Sequence, residues 1–557
     1  MFEEMKRERA HRILSGRSLG YSSMRLLPRA VGARPIINLR RRMVSKKTAV
    51  LGSSINSMMA PVFSMLSHER AKDPELLGSS MFSISDMYQR LKSFKERLFR
   101  RQNFKNDDQS HNRRLFFVKL DIQSCFDTIP QHKLVALIKK LVSEDAYHVT
   151  KHVEIRPPDS CSSGEHPRQG KPIRKFVSKA VSAERVVCLP ELVANGAAKR
   201  RRNTIFVDTA MQKDHAVEDL LELLEEHVRN NLVKIGKKYF RQRSGIPQGS
   251  VLSSLLCSFF YGRLEREVLG FLNCDDTILL RLIDDFLLMT LDADIAMRFL
   301  QVMMDGQPEY GISVNPSKSL VNFEATVNGI KIPRLLDSVL FPYCGNLIDT
   351  HTLELHKDRG YVGESSAFEV SDTLTVEFSR NPGKTFHRKT LAFFRLQTYA
   401  MFLDTSHNTP RVVMSSIYSS FVETAIKMYR YSKALPARAR PSTRFVMKTI
   451  SDLIDLAITL IQSKRHESAL SQASVPVAMQ PKADSSPFQC AVKRQEVQYL
   501  AASAFCHVLQ RKQAQFVPVL DWLGYIRRVS KPTTDGQAVQ MRGIIKAGNA
   551  IFEKLRY

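Results

Sequence analysis

The 557 residues carry 83 Lys and Arg against 55 Asp and Glu, a formal charge of +28 that exceeds what solubility asks for and points to a polyanionic partner. That length is too great for one hydrophobic core, so several sub-domains are expected, and the 43% hydrophobic content is enough to fold. The start, "MFEEMKRERAHRILSG", lacks an apolar signal core and no uninterrupted apolar run reaches about 18 residues, so secretion, membrane spanning and a membrane partner are not expected.

Between about 21 and 110, β-prone segments ("SMRLLPRA", "ARPIINLR") lead into "SISDMYQRLKSFKERLF", whose apolar residues recur at three and four and predict a helix. "LFFVKLDI", rich in aromatic and branched residues, predicts a strand ending at Asp121. Residues 134–237 change character: "RPPDSCSSGEHPRQGKP", the basic "NGAAKRRRN" and the acidic helix "AVEDLLELLEEHVRN" read as an insertion in the surrounding domain. "GIPQGSVLSSLLCSFFYGRLEREVLGFL" passes from a Gly/Pro turn into a helix, with Ser250 as its candidate cap. "LLRLI" and "FLLMT" predict two strands with Asp284 and Asp285 in the turn between them. After 350 the pattern is mostly helical, broken by a polar stretch at 464–487 read as a disordered loop.

The basic clusters at 40–47, 97–101 and 199–202 each read singly as a solvated face; together they favour nucleic acid. Eight cysteines, at 125, 161, 188, 257, 274, 344, 490 and 506, show no C-x-x-C pair, which reads as reduced thiols without a zinc site.

Two adjacent carboxylates in partly buried surroundings repel each other and are pushed towards protonation, a conflict that a divalent cation removes. For the "DD" pair alone, an exposed acidic hairpin tip is the bland alternative. A second strand ends in the same way, in "FFVKLDIQSCFDTIP", with Asp121 at its end and Asp127 six residues later. Three carboxylates on neighbouring strand ends would hold two Mg²⁺ ions about 4 Å apart, as in-line phosphoryl transfer requires.

Here the sequence resembles the reverse transcriptases, and among them the telomerase reverse transcriptases. "FFVKLDIQSCFDTIP" is similar to motif A, "QRSGIPQGSVLSSLLCSFFYG" to motif B, "LLRLIDDFLLMT" to motif C, "GISVNPSKSLVNF" to motif D and "FPYCGNLIDTHTLEL" to motif E. "SMRLLPRAVGARPIINL" resembles motifs 1 and 2 of the fingers. The long interval between motifs A and B, the phrases "DTIP", "GIPQGS" and "FPYCG", and the helical tail are what favour telomerase over other members.

The resemblance implies roles residue by residue. Asp121, Asp284 and Asp285 would be catalytic metal ligands, with Lys318 as the acid that protonates pyrophosphate. Asp284 is the better candidate for bridging the ions and Asp285 for support. Arg25, Arg29 and Arg34 would grasp the triphosphate; Phe126 would exclude a ribose 2′-hydroxyl; Gln248 and Gly249 would meet the nucleotide, with Gly245 easing close approach. Tyr343, Cys344 and Gly345 in "PYCG" would form the primer grip, and Lys384, His387, Arg388 and Lys389 would be thumb contacts to an RNA–DNA hybrid. Taken without the motifs, each has a bland reading: core filling for Phe126, an ordinary turn for "PYCG", solvated surface for the cations.

The expected architecture is an α/β right-hand polymerase: fingers with a basic N-terminal helix at 1–114, palm (antiparallel sheet plus helices) at 115–133 and 238–349, an insertion in fingers at 134–237 and a mostly helical thumb at 350–557. The implied reaction is RNA-templated addition of deoxynucleotides to telomeric DNA 3′ ends, with two Mg²⁺ ions as cofactors and deoxynucleoside triphosphates as substrates. Telomerase RNA and a single-stranded DNA primer would be partners, in the nucleus at telomeres. A retroelement-type enzyme is the first alternative; an endonuclease, integrase or RNase H segment would support it and none is seen. A non-catalytic RNA-binding scaffold is the second, and it would be signalled by loss of one of the three acids. The RNA-binding domain that telomerase proteins carry ahead of motif 1 is not visible in this sequence.

Overall fold

A computed structural model describes residues 1–28, 32–42, 51–101, 115–156, 172–184, 189–191, 203–336, 338–359, 373–462 and 486–553, with only the backbone at 99–101. Arg29, the basic cluster 199–202 and nearly all of the polar stretch at 464–487 lie outside the described residues.

Four antiparallel strands form the sheet that matters most: β10 (Thr277–Leu282), β11 (Asp285–Thr290), β4 (Phe116–Asp121) and β12 (Leu320–Val321), in that spatial order. Successive side chains of a strand alternate between faces, and here both faces are covered. Phe117, Leu280, Leu287 and Met289 meet Leu91 and Phe94 of α4 (Ile84–Arg101) and Phe341 and Tyr343 of β15 (Leu340–Tyr343). Val118, Leu120, Phe286 and Leu288 pack in the other direction, in one cluster with α8 (Ser253–Glu267) and α9 (Ala293–Met304). Burial on both sides is why these strands read as near-continuous apolar runs.

Arg281 lies in this core at 0% exposure. Its Nε donates to Glu265 Oε1 at 2.6 Å and its NH2 to the carbonyl oxygens of Leu77 and Ser258. Glu265 also accepts the backbone N–H and hydroxyl of Ser79, so the buried charge is compensated.

A five-stranded sheet runs β1 (Phe2–Met5), β9 (Lys238–Gln242), β8 (Leu232–Ile235), β2 (Ser22–Pro28), β3 (Ala33–Asn38). Sequence reading expected only a helix at the N-terminus; helix α1 (Arg7–Ser15) exists, but an edge strand precedes it, held by Glu3–Arg243 and Glu4–Lys238 ion pairs. A third sheet, β6 (Ile173–Ser182), β5 (Ala146–Arg156), β7 (Ile205–Ala216), falls within the expected insertion and leads into helix α7 (Val217–Arg229). Its base packs on α3 (Ala60–Lys72), where the Tyr147 hydroxyl donates to buried Glu69.

The C-terminal part is helical: α10 (Pro382–Arg395), α11 (Pro410–Ala434), α12 (Thr443–Ile461), α13 (Arg494–Leu509), α14 (Gln513–Val529) and α15 (Asp535–Glu553). α11 is buried nearly all round, with α10, α13 and α15 packed on it, while α12 packs on α10 and α14 on α13. α12 buries Val446, Ile450, Leu453, Ala457 and Ile461 at three- and four-residue spacing. This unit is joined to α4 by a buried pair: Lys92 Nζ lies 2.8 Å from Asp404 Oδ2, which also accepts the Tyr88 hydroxyl. Among the described residues no helix is long and apolar enough to cross a membrane.

Candidate active site

β4 and β11 end together, and the register sets Asp285 directly opposite Asp121. Directly paired residues share a face, so both carboxylates leave the sheet on the side shared with β15. Sequence reading put both acids of "DD" in the turn; the turn is instead Ile283–Asp284, and Asp285 opens β11 as the partner of Leu282. A two-residue connection suits the strand twist. It costs strain here, because Ile283 sits at φ +62°, a region that β-branched residues rarely adopt. The Ile122 N–H donates to the Asp284 carbonyl at 3.2 Å, tying the turn to the end of β4.

Burial, followed by the neighbouring Asp284 charge, pushes the Asp285 carboxyl up to about 6. Burial, with Asp121 adding to it, also raises Asp284, against the pull of Arg34 and Lys318. Lys318 comes from a 3₁₀ turn, Pro316–Lys318, and its Nζ donates to Asp121 Oδ2 at 2.9 Å. Asp121, Asp284, Asp285, Lys318 and Arg34 are thus electrostatically in one place. The three carboxylates supply the hard oxygen donors that Mg²⁺ takes, and the raised pKa values of Asp284 and Asp285 mark negative charge in need of a counter-ion. As the side chains lie, no three His, Cys, Asp or Glu among the described residues are gathered to hold an ion; the Asp121 carboxylate is engaged by Lys318.

Arg25 pairs with Ile36 and Leu27 with Arg34 across the β2–β3 ribbon, so the two arginines share a face, and both are exposed. The Gly245–Ser250 loop is bonded both to this ribbon and to the short helix Cys125–Thr128 that follows β4. Ile246 N–H donates to the Phe126 carbonyl at 2.6 Å and Ile37 N–H to the Gln248 carbonyl at 2.9 Å. Gln248 Nε2 donates to Asp127 Oδ1 at 2.8 Å. Gly245 and Gly249 both have positive φ, and a Cβ on either would stand 2.2–2.3 Å from a carbonyl oxygen, of Phe126 and Ile37 respectively. Ser250 does not cap the following helix: α8 starts three residues later at Ser253, and the Ser250 hydroxyl instead faces His227.

β15 turns into β16 (Asn346–Asp349) through Cys344 and Gly345, both at positive φ, and the Tyr343 hydroxyl donates to the Asp285 carbonyl at 2.9 Å. Burial and the nearby Asp285 raise the Cys344 thiol to about 11. The four cations expected in the thumb all lie on α10. Lys384 is exposed, His387 is 2.8 Å from Asp452, and Arg388 and Lys389 both pair with Glu377 at 2.6 Å. Sequence reasoning missed Lys119, whose charge opposes the rise of Asp285, and Asn56 and His227, which grip the Gly245–Ser250 loop. Strand-end acids within electrostatic reach of Arg34, with Lys318 engaged on one of them, can hold cations and a polyphosphate together.

Residues 205–332, which include Asp284, Asp285 and Lys318, match the family described as reverse transcriptase (RNA-dependent DNA polymerase). The fold is therefore that of a right-hand polymerase of the reverse-transcriptase class. Residues 384–524 match the telomerase reverse transcriptase C-terminal extension. The telomerase reverse transcriptase of Canis lupus familiaris is 32% identical over 80% of this chain and 39% of its own length, and that of Mus musculus is 31% identical over 79% and 39%. A solved telomerase from Candida albicans, in complex with a TWJ fragment of telomeric RNA, superposes with a TM-score of 0.57 at 15% identity, covering 94% of this chain and 68% of that one. The chain belongs to the telomerase reverse transcriptase family, and it spans about two fifths of the length of the curated relatives it matches.

Proposed function

We propose that this chain is the polymerising part of a telomerase: it extends a DNA 3′ end with deoxynucleotides copied from an RNA template. The observation that carries this is the register that opposes Asp121 to Asp285 with Asp284 in the adjoining turn. Two Mg²⁺ ions, when bound by Asp121, Asp284 and Asp285, would supply the positive charge that activates the primer hydroxyl and offsets charge on the leaving pyrophosphate.

The chain's own residues do the rest. Arg25 and Arg34, on one face of the β2–β3 ribbon, bind triphosphate oxygens, with Arg29 between them in sequence. Lys318 holds a proton at Nζ for the pyrophosphate. Gln248 and the Gly249 backbone orient the nucleotide, and Phe126 selects deoxyribose by its bulk. Tyr343, anchored on the Asp285 carbonyl, sets Cys344 and Gly345 against the primer end. Lys384, His387, Arg388 and Lys389 follow the hybrid, which requires Arg388 and Lys389 to exchange Glu377 for phosphate. Fingers at 1–114, palm at 115–133 and 238–349, an insertion at 134–237 and a thumb at 350–557 divide this work. The charge of +28 suits RNA and DNA partners, the RNA complex of the Candida albicans neighbour supports telomerase RNA as one of them, and extension of telomeric ends would be work done in the nucleus at telomeres.

The test is extension of a DNA primer annealed to a supplied RNA template in Mg²⁺. The wild-type chain should extend it, and Asp121→Ala and the Asp284→Ala/Asp285→Ala double variant should not. Equal extension by all three would remove the assignment.

A further inference from the structure

Resting on the polymerase reading, we propose that Asn56 and His227 are positioning residues that fix the Gly245–Ser250 loop in the pose in which it receives the nucleotide, and so set the KM for deoxynucleoside triphosphate. The two come from different elements. Asn56, only 8% exposed, is the second residue of the short helix α2 (Ile55–Met58). Its Nδ2 donates to the Gly249 carbonyl at 3.1 Å and its Oδ1 accepts the Val251 N–H at 3.2 Å. Among side chains of this size only an amide both donates and accepts in that way. The Asn56 N–H in turn donates to the carbonyl of Leu39, just beyond β3. The loop is therefore fastened to the ribbon that carries Arg34, twice: through Asn56 and through the Ile37–Gln248 backbone bond.

His227 holds the next residue of the loop, Ser250. The histidine is 1% exposed in the last turn of α7, with Nε2 2.8 Å from Ser250 Oγ, and that oxygen also accepts the Leu252 N–H. Burial, then the nearby Arg17, lowers its pKa to about 4, so the ring stays neutral and bonds as imidazole. Gly249, bonded by Asn56, sits at φ +116°, so close to the Ile37 carbonyl that a Cβ would stand 2.3 Å from its oxygen. Displacing the ribbon displaces Gln248, because no slack separates them. Neither Asn56 nor His227 is placed to touch substrate; both act through Gly249 and Ser250.

Steady-state extension of an RNA-templated primer, with deoxynucleotide titrated, tests this in the full chain. Asn56→Asp is nearly isosteric but loses the donor and sets a negative charge against the Gly249 carbonyl. His227→Leu removes the ring bond, while His227→Gln restores a donor of similar reach. Asn56→Asp and His227→Leu should each raise KM about three- to tenfold, the effect of one lost hydrogen bond, with kcat within about twofold, and His227→Gln should stay near wild type. If His227→Leu melts below the assay temperature, Ser250→Ala deletes the partner hydroxyl and gives the same readout. Unchanged KM in variants that melt normally, or a fall in kcat with KM unmoved, overturns the positioning role alone. A wild-type chain that extends no primer overturns the polymerase reading as well.

Discussion

Lys318 Nζ stands 2.9 Å from Asp121 Oδ2, an ion pair between a side chain 62% exposed and one 20% exposed. An exposed cation on a 3₁₀ turn thus reaches the acid at the end of the central strand. In the proposed chemistry it delivers a proton to pyrophosphate, so Lys318→Ala should lower kcat by about 100-fold with little change in primer affinity. Single-turnover incorporation at saturating nucleotide, with primer affinity measured alongside, checks it: the rate should drop in the variant while primer binding stays near wild type.

Phe126 is half-buried, with its carbonyl held by Ile246 N–H. If its ring excludes the 2′-hydroxyl, Phe126→Ala should raise ribonucleotide use relative to deoxynucleotide by at least about tenfold, because rejection by shape is lost while backbone contacts stay. Competition between the two nucleotide types at one template position measures the ratio.

The Lys92–Asp404 pair is buried at both ends, and Asp404 also accepts Tyr88 and Ser406 hydroxyls. Removing one partner leaves a buried charge uncompensated. Asp404→Ala should therefore cost about 3–5 kcal/mol in urea unfolding, and Lys92→Met/Asp404→Leu should recover much of that.

Two buried histidines make the chain acid-labile. Burial first, then Arg17, lowers His227 to about 4; burial first, then Lys95, lowers His407 to about 3. Both lie below the unfolded value of about 6.5, so in that window the unfolded chain binds protons that the folded chain refuses. The stability contributed by the neutral rings is full above about pH 6.5 and is lost as pH falls towards 4, by roughly 1 kcal/mol per unit for each ring. Thermal melting between pH 7.5 and 5 should show it, with a shallower slope in His407→Phe.

The central sheet was legible because strands buried on both faces leave long apolar runs, and Asp121 and the acid pair interrupt those runs where the strands end. Register was not legible at the level of one residue. The closing pair of a two-residue turn decides whether Asp284 or Asp285 lies in the strand, and the sequence "IDDF" fits several turns. Ser250 looked like a helix cap because its preference for that role is local, and the His227 that claims its hydroxyl sits 23 residues earlier. Asn56 is 193 residues from Gly249, and nothing in "SSINSMM" announces a partner at that distance. Arg281 left one trace, a charge inside "LLRLI", but its partner Glu265 was hidden among the many charges of α8.

Incorporation of a single deoxynucleotide onto an RNA-templated primer, under single-turnover conditions in Mg²⁺, tests most directly whether the opposed acids of β4 and β11 are the reacting site. Asp121→Asn, which keeps shape and removes charge, should incorporate about a thousandfold more slowly than wild type, the loss expected when several kcal/mol of charge stabilisation disappear. A rate within about twofold of wild type, a difference of well under 1 kcal/mol, would contradict it.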